Sequence, residues 1–277
     1  MRVFQNSEDR EFSDYLLQCG DGLLDIQARD GPFKVIVPSD LAFHGELDDM
    51  INWVFEGLEV NCNDHEWTAS RSLICPTNKT VDLINNKVMA RFPGAERVYR
   101  SHDKVTSEDS FNYPQEYLNT LSPSGMPPHQ LKVKVGCPIM LMRNMQPQQG
   151  HCNGTKYIVV SLHDNIIEAV VASGAYKGNK LFIPRIPIKP TDGTFPFDLT
   201  RRQFPVRPCF GITSNKAQGQ TLKRVGVYLD RPFFSHGQYY VAKSRVGEKA
   251  ALKILVVGER RSDGAVITDN VVYPEVL

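Results

Sequence analysis

Apolar side chains repeat at helical spacing in three stretches of the first hundred residues, which predicts three amphipathic helices. The first covers residues 7–20, and the second carries its apolar face from Leu47 to Phe55. The third begins after Thr77, which can cap it, and stops at Pro93-Gly94. Between the last two, Leu73-Ile74-Cys75 is too short for a helix and suits a buried strand. Strand, turn and capped helix are half of an α/β unit.

The middle of the chain shows a different pattern of short apolar runs separated by turn residues. A polar segment rich in Pro, Ser and Asn, residues 101–130, precedes them. The runs that read as strands are Leu131–Met142, Lys156–Ser161, Ile166–Ala172 and Leu181–Ile186. Closely spaced short strands of this kind predict a small β-barrel. The prolines between residues 184 and 196 mark a return linker.

Alternating α/β character resumes near Phe204. Val225–Leu229 and Leu252–Val257 read as strands, and Ser235 can cap a helix that runs to about Arg245. The simplest account is one α/β domain interrupted by an inserted β-domain. The predicted divisions are 1–95 for the first part of the α/β domain, 96–203 for the insertion and its linkers, and 204–277 for the second part.

Composition excludes several classes of protein. Of 277 residues, 41% are apolar and 23% charged, as in globular proteins. No apolar run approaches the roughly 18 residues of a membrane span, so no membrane association is expected. The six cysteines form no CxxC pair, which is typical of reduced thiols. Cys62 and His65 have ligand-like spacing, but no second pair completes a zinc site, so no metal is predicted.

Charge is distributed unevenly along the chain. Residues 1–60 hold 4 basic and 13 acidic side chains, whereas residues 201–253 hold 11 basic and 2 acidic ones. A basic block on a nearly neutral chain is a candidate surface for a polyanion. Ordinary solvated charge explains the counts equally well, and both interpretations stay open.

Common catalytic and nucleotide motifs are missing from the sequence. It contains no GxxxxGK[ST], no GxGxxG and no GxSxG. The glycine-rich run from Gly174 to Lys180 has no following hydroxyl residue and opens no plausible helix. It therefore predicts a hairpin turn.

Two polar stretches near the C-terminus carry candidate chemistry. Residues 212–222 supply hydroxyls, an amide, Lys216 and a glycine, the groups that hold phosphate oxygens. Residues 235–246 place Arg245 at a helix end, where its guanidinium can reach a phosphoryl group. Taken alone, a capped surface turn and a solvated arginine explain these two stretches as well.

In combination, the motifs resemble a known family. ITSNKAQGQTL followed by FSHGQYYVAKSRV resembles motifs V and VI of Pif1-type superfamily-one DNA helicases, and SLICPTNKTVDLIN is similar to another of their motifs. LKVKVGCPIMLMRNM with GHCNGT resembles the subgroup found in Helitron transposons. The resemblance implies an α/β fold: a RecA-like second motor domain, with the P-loop NTPase type of sheet, interrupted by a small inserted SH3-like β-barrel.

The resemblance also implies roles for individual residues. In such helicases two RecA-like domains clamp ATP, and the N-terminal one holds the P-loop and Mg²⁺. Met1-Arg2-Val3 resembles motif IV, so Arg245 and then Arg2 are the implied catalytic arginines. The implied ATP-binding residues are Gln218, Gly219 and Gln238. The implied contacts to single-stranded DNA are Thr77, Asn78, Thr213, Asn215 and Lys216. Lys243 and Ser214 stand where the family usually has apolar residues.

The implied function is that of the C-terminal part of an ATP-dependent 5′–3′ DNA helicase. Its partners would be single-stranded DNA and the N-terminal RecA-like domain. Such enzymes act in DNA repair, recombination and telomere maintenance, and the Helitron subgroup in transposition, which implies a nuclear or mitochondrial location. Without a P-loop, the chain is expected to be inactive alone. The alternative is a non-catalytic single-strand-binding remnant of a transposon helicase.

Overall fold

A computed structural model describes residues 7–25, 31–105, 113–123, 125–190, 195–258 and 263–276. The chain divides into two compact units. The first unit comprises residues 1–57, 70–85 and 210–277, and the second comprises residues 58–69 and 86–209. None of the helices among the described residues is long and apolar enough to cross a lipid bilayer.

The helices are α1 Ser7–Gly20, α2 Leu47–Val54, α3 Leu58–Asn61, α4 His65–Ala69, α5 Asn78–Arg91, α6 Gln115–Thr120, α7 Ser214–Ala217 and α8 Gln238–Lys243. The first eight strands are β1 Lys34–Ile36, β2 Arg71–Cys75, β3 Arg97–Arg100, β4 His102–Val105, β5 Gln130–Val133, β6 Pro138–Leu141, β7 Lys156–Leu162 and β8 Ile166–Val171. The other eight are β9 Lys180–Pro184, β10 Ile186–Ile188, β11 Leu199–Gln203, β12 Val206–Pro208, β13 Gly211–Thr213, β14 Arg224–Leu229, β15 Leu252–Val256 and β16 Ile267–Asp269.

The first unit is built on a four-stranded parallel sheet with the order β13-β2-β14-β15. The predicted strands at Leu73–Cys75, Val225–Leu229 and Leu252–Val257 lie in it as β2, β14 and β15. The apolar residues of these three strands are buried or partly buried, as parallel strands covered on both faces require, whereas Val257, one residue beyond β15, is 50% exposed. A separate antiparallel pair, β1 with β16, belongs to the same unit.

Helix α5 forms where the sequence predicts it and for the predicted reason. The backbone N–H of Thr80 donates to Oγ1 of Thr77 over 3.2 Å, which caps the first turn. The apolar face of the helix is buried, with Val81, Ile84 and Val88 at most 2% exposed. The predicted helices over residues 7–20 and from Leu47 are confirmed as α1 and α2.

Helix α5 and the edge strand β13 approach each other closely. The Asn85 side chain accepts the N–H of Gly211 at 2.9 Å and donates to its carbonyl oxygen at 3.4 Å. A Cβ at Gly211 would stand 2.9 Å from Cγ2 of Ile84. Only glycine permits this contact, which fixes the position of β13 against the helix.

The second unit contains mainly antiparallel sheets. Its largest sheet has five strands in the order β12-β6-β7-β8-β9, and smaller sheets have the orders β10-β11-β4 and β3-β5. The predicted hairpin turn at Gly174–Lys180 joins β8 to β9. Within the described residues the end strands β12 and β9 do not pair, so closure into an SH3-like barrel stays a prediction.

Several predictions for this part of the chain are wrong in detail. The run Leu131–Met142 is two strands, β5 and β6, because the chain turns at Gly136 with a φ of 85°. The expected linker contains β10, where Pro187 pairs with Arg202 on an edge strand that tolerates proline. The segment 101–130, for which no element was expected, contains β4 and α6.

A fully buried ion pair lies inside the second unit. Arg201 on β11 and Asp103 on β4 are 0% exposed, and Nη2 of Arg201 donates to Oδ2 of Asp103 over 2.6 Å. The same guanidinium donates to the carbonyl oxygens of Leu118, Leu121 and Pro127 at 3.3, 3.1 and 3.1 Å. These bonds hold the end of α6 and the loop that follows it against the sheet.

The chain passes from one compact unit to the other at residues 57/58, 69/70, 85/86 and 209/210, so residues 58–69 belong to the second unit. The domain boundaries expected from the sequence lie at 95/96 and 203/204. Those boundaries stay a prediction, since compactness of a unit is a different property from independent folding.

Candidate functional site

The candidate phosphate-binding residues follow two neighbouring parallel strands of the first unit. Thr213 at the end of β13 is in register with Cys75 at the end of β2. Thr77 and Asn78 therefore leave the sheet at the same edge as Asn215 and Lys216. The carboxyl edge of a parallel sheet is where ligands bind in open α/β folds.

The short helix α7 presents polar side chains from this edge. Asn215 and Lys216 are exposed, while Ser214 is buried. The Ser214 hydroxyl donates to the carbonyl oxygen of Gln238 over 2.8 Å. A serine where the family has an apolar residue is therefore satisfied by a hydrogen bond and ties α7 to the start of α8.

Gln238 connects two groups of candidate residues. Its Nε2 donates to Oδ1 of Asn215 over 3.2 Å. Its Oε1 accepts the N–H groups of Phe234 and Ser235 at 3.4 and 3.3 Å. The side chain is 6% exposed, so this orientation is fixed by the structure around it. A predicted nucleotide-binding residue is thus bonded directly to a predicted DNA-binding residue.

The helix that carries Gln238 is shorter than predicted. It begins at Gln238 and ends at Lys243, and Ser235 is not its cap. Gly237 precedes the helix with a φ of 70°, a left-handed conformation that favours glycine. Ser235 instead accepts the N–H of Gln238 through its carbonyl oxygen at 3.3 Å.

A cleft of about 460 Å³ opens beside α1, α7 and α8. Both polar and apolar side chains line it: Leu17, Gly20, Asp21, Asn215, Gln218, His236, Gly237, Gln238, Tyr240 and Val241. The candidate nucleotide residues Gln218 and Gln238 share this cleft with Asn215. Gly219, next to Gln218, has a φ of 80°, and no atom lies within 4 Å of the position that a Cβ would take there.

Arg245 lies two residues beyond the end of α8 and is hydrogen-bonded to that helix and to the loop before β14. Its Nε donates to the carbonyl oxygen of Val241 at 2.7 Å, and Nη1 to that of Gln220 at 3.3 Å. Nη2 donates to Oγ of Ser244 at 2.7 Å. Partial burial lowers the pKa of the guanidinium from its ordinary value. That ordinary value is so high that the group keeps its charge. Arg2 lies outside the described residues.

Lys243 occupies the core of the first unit. It is 0% exposed, and its Nζ donates to the Tyr15 hydroxyl over 2.9 Å. The ammonium stands 4.1 Å from the ring centre of Tyr15 and 3.8 Å from that of Tyr239. The charge therefore points inward from α8, between two aromatic rings, and is stabilised by cation–π contacts.

Sequence reasoning missed two polar residues beside Thr77. The Thr80 hydroxyl donates to Oδ2 of Asp230 over 2.7 Å and lies 2.8 Å from the Thr77 hydroxyl. Asp230 directly follows β14, so a polar residue at the end of a strand was the available signal. Thr80 stands three residues after a helix cap, the position at which a capping partner is expected.

The basic block of residues 201–253 does not form one surface. Arg201 is buried in the second unit, and Lys243 is buried in the first. In the first unit Lys249 is paired with Asp40, and Arg224 lies 3.0 Å from Glu56. These pairings join basic residues of the block to acidic residues of the N-terminal segment. In the described part of the chain, no group of three His, Cys, Asp or Glu side chains is arranged to hold a metal ion.

Comparison with known protein sequences gives concordant results. A family profile described as the 2B domain of DNA helicase Pif1 matches residues 116–162. The chain is 28% identical over 185 residues to the ATP-dependent DNA helicase PIF1 of Danio rerio, covering 66% of this chain and 27% of that protein. It is 30% identical over 127 residues to PIF6 of Trypanosoma brucei brucei, covering 45% and 16%. The chain thus spans less than a third of either relative.

Solved structures resemble the fold. The Pif1 helicase from Candida albicans matches with a TM-score of 0.60 and 22% identity, over 95% of this chain and 56% of that one. A Bacteroides Pif1 bound to single-stranded DNA matches with a TM-score of 0.60 and 20% identity, over 92% and 50%. These similarities confirm the predicted α/β, RecA-like motor fold.

Proposed function

We propose that this chain is the C-terminal part of a Pif1-type superfamily-one helicase, and so half of an ATP-dependent DNA helicase motor, because the family profile, the sequence relatives and the fold all point to that family. The motor would couple ATP hydrolysis to movement along single-stranded DNA and to unwinding of the duplex. The relatives are named as ATP-dependent DNA helicases, and one structural neighbour is bound to single-stranded DNA.

The carboxyl ends of β2 and β13 form the proposed DNA contact, and we call this region the DNA edge. Asn78, Asn215 and Lys216 are exposed there, and together they supply amide donors and one cation. Such groups hold phosphate oxygens without reading bases. Binding is therefore expected to be independent of sequence and sensitive to salt.

The observation that carries the proposal is the hydrogen bond from Gln238 to Asn215. The two side chains are joined at 3.2 Å, and both line the cleft beside α8. A nucleotide that engages Gln238 would compete for its amide and so alter the orientation of Asn215. This hydrogen bond would then connect the proposed nucleotide cleft to the proposed DNA contact.

The nucleotide would be held mainly by the N-terminal RecA-like domain. The sequence has no P-loop, and the described residues offer no carboxylate cluster for Mg²⁺, so both belong in this proposal to the companion domain. This chain would contribute Gln218, Gly219 and Gln238 around the phosphates. Arg245, with Arg2 as a second candidate, would stabilise charge that develops during hydrolysis.

The finer assignments of direction and context rest on motif similarity. We propose 5′–3′ movement from the resemblance to Pif1-type helicases, and a Helitron-like origin from the runs at residues 131–145 and 150–155. Roles in transposition, repair, recombination or telomere maintenance would follow, in the nucleus or in mitochondria.

A second candidate function is that of a non-catalytic single-strand-binding module. The observation in its favour is that all three guanidinium nitrogens of Arg245 donate to atoms of the first unit. An arginine engaged in this way supports the fold and is not extended toward a nucleotide. This function needs the DNA edge alone.

The proposed function is tested by measuring binding of the 277-residue chain to a fluorescent oligothymidine at several salt concentrations. We expect weak binding that decreases with salt and is weakened about equally for all sequences by Lys216→Ala. Lys253→Ala, on β15 at the far edge of the sheet, is the control for loss of one positive charge. Binding that ignores salt, or an equal loss in both variants, would contradict the proposal.

A further inference from the structure

Two hydroxyls and a carboxylate form a continuous hydrogen-bonded chain at the start of α5. Oγ1 of Thr80 lies 2.7 Å from Oδ2 of Asp230 and 2.8 Å from Oγ1 of Thr77. Oγ1 of Thr77 also accepts the backbone N–H of Thr80 at 3.2 Å. We call these three residues, Thr77, Thr80 and Asp230, the hydroxyl relay.

The direction of each hydrogen bond in the relay follows from its members. A carboxylate can only accept, so the single hydroxyl hydrogen of Thr80 goes to Asp230. The hydrogen between the two threonines must then come from Thr77. With the relay intact, the Thr77 hydroxyl has no hydrogen left to donate to a phosphate.

Asp230 reaches the relay from a neighbouring strand. Val227 of β14 is in register with Ile74 of β2, so three residues further on Asp230 stands beside Thr77. The Asp230 residue is exposed, and the hydrogen bond it receives is only partly buried. A negative charge at this edge opposes the binding of phosphate by simple electrostatics. What the carboxylate does in this structure is accept the Thr80 hydroxyl hydrogen.

We propose that Asp230 is a positioning residue for single-stranded DNA binding. Through Thr80 it fixes Thr77 as the cap of α5, and this holds the adjoining exposed Asn78 in place for a phosphate. Thr77 thereby shapes the turn, and Asn78 makes the contact. The inference rests on the proposed function, since it concerns the same DNA edge.

The experiment measures affinity of the 277-residue chain for oligothymidine, and the salt dependence of that affinity. Asp230→Ala removes a negative charge but also the acceptor. We expect it to weaken binding about tenfold and to leave the slope of log affinity against log salt nearly unchanged, because the contact that is lost is made by the uncharged amide of Asn78 and releases no counterion. Asp230→Asn keeps an acceptor oxygen, and we expect it to bind within about twofold of the unaltered chain.

Thr80→Val tests the middle of the relay with an isosteric side chain. We expect the same loss as for Asp230→Ala, and no further loss when the two substitutions are combined, because both break one unit. Asp82→Ala removes an exposed carboxylate from the same helix and is the matched control for charge. Circular dichroism of each variant establishes that the fold is kept.

The outcomes separate the positioning role from the proposed function. If the unaltered chain binds and Asp230→Ala binds equally or more tightly, as Asp82→Ala does, Asp230 acts by charge alone and the relay has no role in binding. Additive losses in the double variant would also overturn the relay. If the unaltered chain shows no salt-sensitive binding, the proposed function itself fails, and the role of Asp230 fails with it.

Discussion

The ammonium of Lys243 is the most unusual single group in the first unit. It is fully buried, yet it is paired with the Tyr15 hydroxyl and lies over two aromatic rings. Burying a charge is costly, and the contacts only offset that cost. The Lys243 side chain thus mainly packs between α1 and α8, and its ammonium is contacted there by Tyr15 and Tyr239.

Replacing Lys243 separates its volume from its charge. We expect Lys243→Met, which keeps the volume, to change the free energy of unfolding by less than about 1 kcal/mol or to raise it. Lys243→Ala leaves a cavity and should lower it by about 2–4 kcal/mol. Urea unfolding of the three proteins measures this. A methionine variant as unstable as the alanine variant would show that the charge itself holds the fold.

Because its buried thiols resist ionisation, the stability of the second unit depends on pH in the alkaline range. Burial raises the pKa of Cys137 to about 12, whereas an exposed thiol ionises near pH 9.0. The folded state therefore keeps the proton that the unfolded chain loses. The stabilising contribution is complete below about pH 9 and is lost as the pH rises toward 12.

Substitution of Cys137 tests this dependence. Between pH 9 and 10 the unaltered chain should lose about 1 kcal/mol more of its unfolding free energy than Cys137→Ala does, since one pKa unit is worth about 1.4 kcal/mol. Chemical denaturation at the two pH values gives the comparison. Equal losses in both proteins would show that this thiol ionises freely in the fold.

At the scale of elements, the buried Arg201 organises the part of the second unit that pattern analysis could not resolve. Strand β4 pairs with β11, almost a hundred residues further along the chain. The helix α6 between them is short, and its last carbonyl groups are bound by the same guanidinium. One ion pair therefore connects two strands and a helix that have little local preference of their own.

Removing one partner of the Arg201–Asp103 ion pair should strongly destabilise the fold. We expect Arg201→Met to lower the free energy of unfolding by about 3–5 kcal/mol, because Asp103 is left as an uncompensated buried charge. The double variant Arg201→Met with Asp103→Leu should recover part of the loss. Exposed Arg202→Met, next in sequence, is the control and should change stability little. Equal effects at the two positions would contradict the importance of burial.

The elements that sequence predicted are those whose formation is local. Helix α5 has its cap at Thr77 and its apolar residues within one stretch of fourteen residues. Everything that determines this helix is therefore local in the sequence. Strand β4 has the sequence His102–Val105, whose only buried residue is a charged one, Asp103. Its partner Arg201 is remote in sequence, and no periodicity predicts such a pair.

Motif similarity supplied the candidate members of the site, which stay predictions, but it did not supply the hydrogen bonds between them. Motif similarity named Gln238 and Asn215, but not the hydrogen bond between them. It named Thr77, but not Thr80 or Asp230, because the relay depends on the register of β14 against β2. Side-chain hydrogen bonds across strands follow from the folded sheet, which a single sequence does not specify.

At the scale of the whole molecule, the sequence has no P-loop, although the chain carries the proposed DNA edge and the proposed nucleotide cleft. We expect the isolated chain to show no ATP turnover above background. A fusion that supplies a Pif1-type P-loop domain at its N-terminus should hydrolyse ATP in the presence of single-stranded DNA. A phosphate-release assay measures both.

The arginine variant of the fusion tests the division of labour. Arg245→Ala should reduce turnover by about 10³-fold or more, as for arginine fingers generally. Arg245→Lys keeps the charge but loses the planar fork, and it should remain strongly impaired. Turnover by the isolated chain that Arg245→Ala abolishes would mean that the nucleotide is gripped within these 277 residues.

The two hydrogen bonds between Asn85 and Gly211 have a consequence for how such chains diversify. The chain leaves the first unit after residue 85 and returns to it at residue 210. The side-chain amide of Asn85 is hydrogen-bonded to Gly211, so it joins the two ends of the intervening segment. Residues 86–209 therefore begin and end at positions that are held together by hydrogen bonds. We expect changes in the length of this segment to leave the strand order of the parallel sheet unaltered, because its two ends stay joined by the Asn85 side chain.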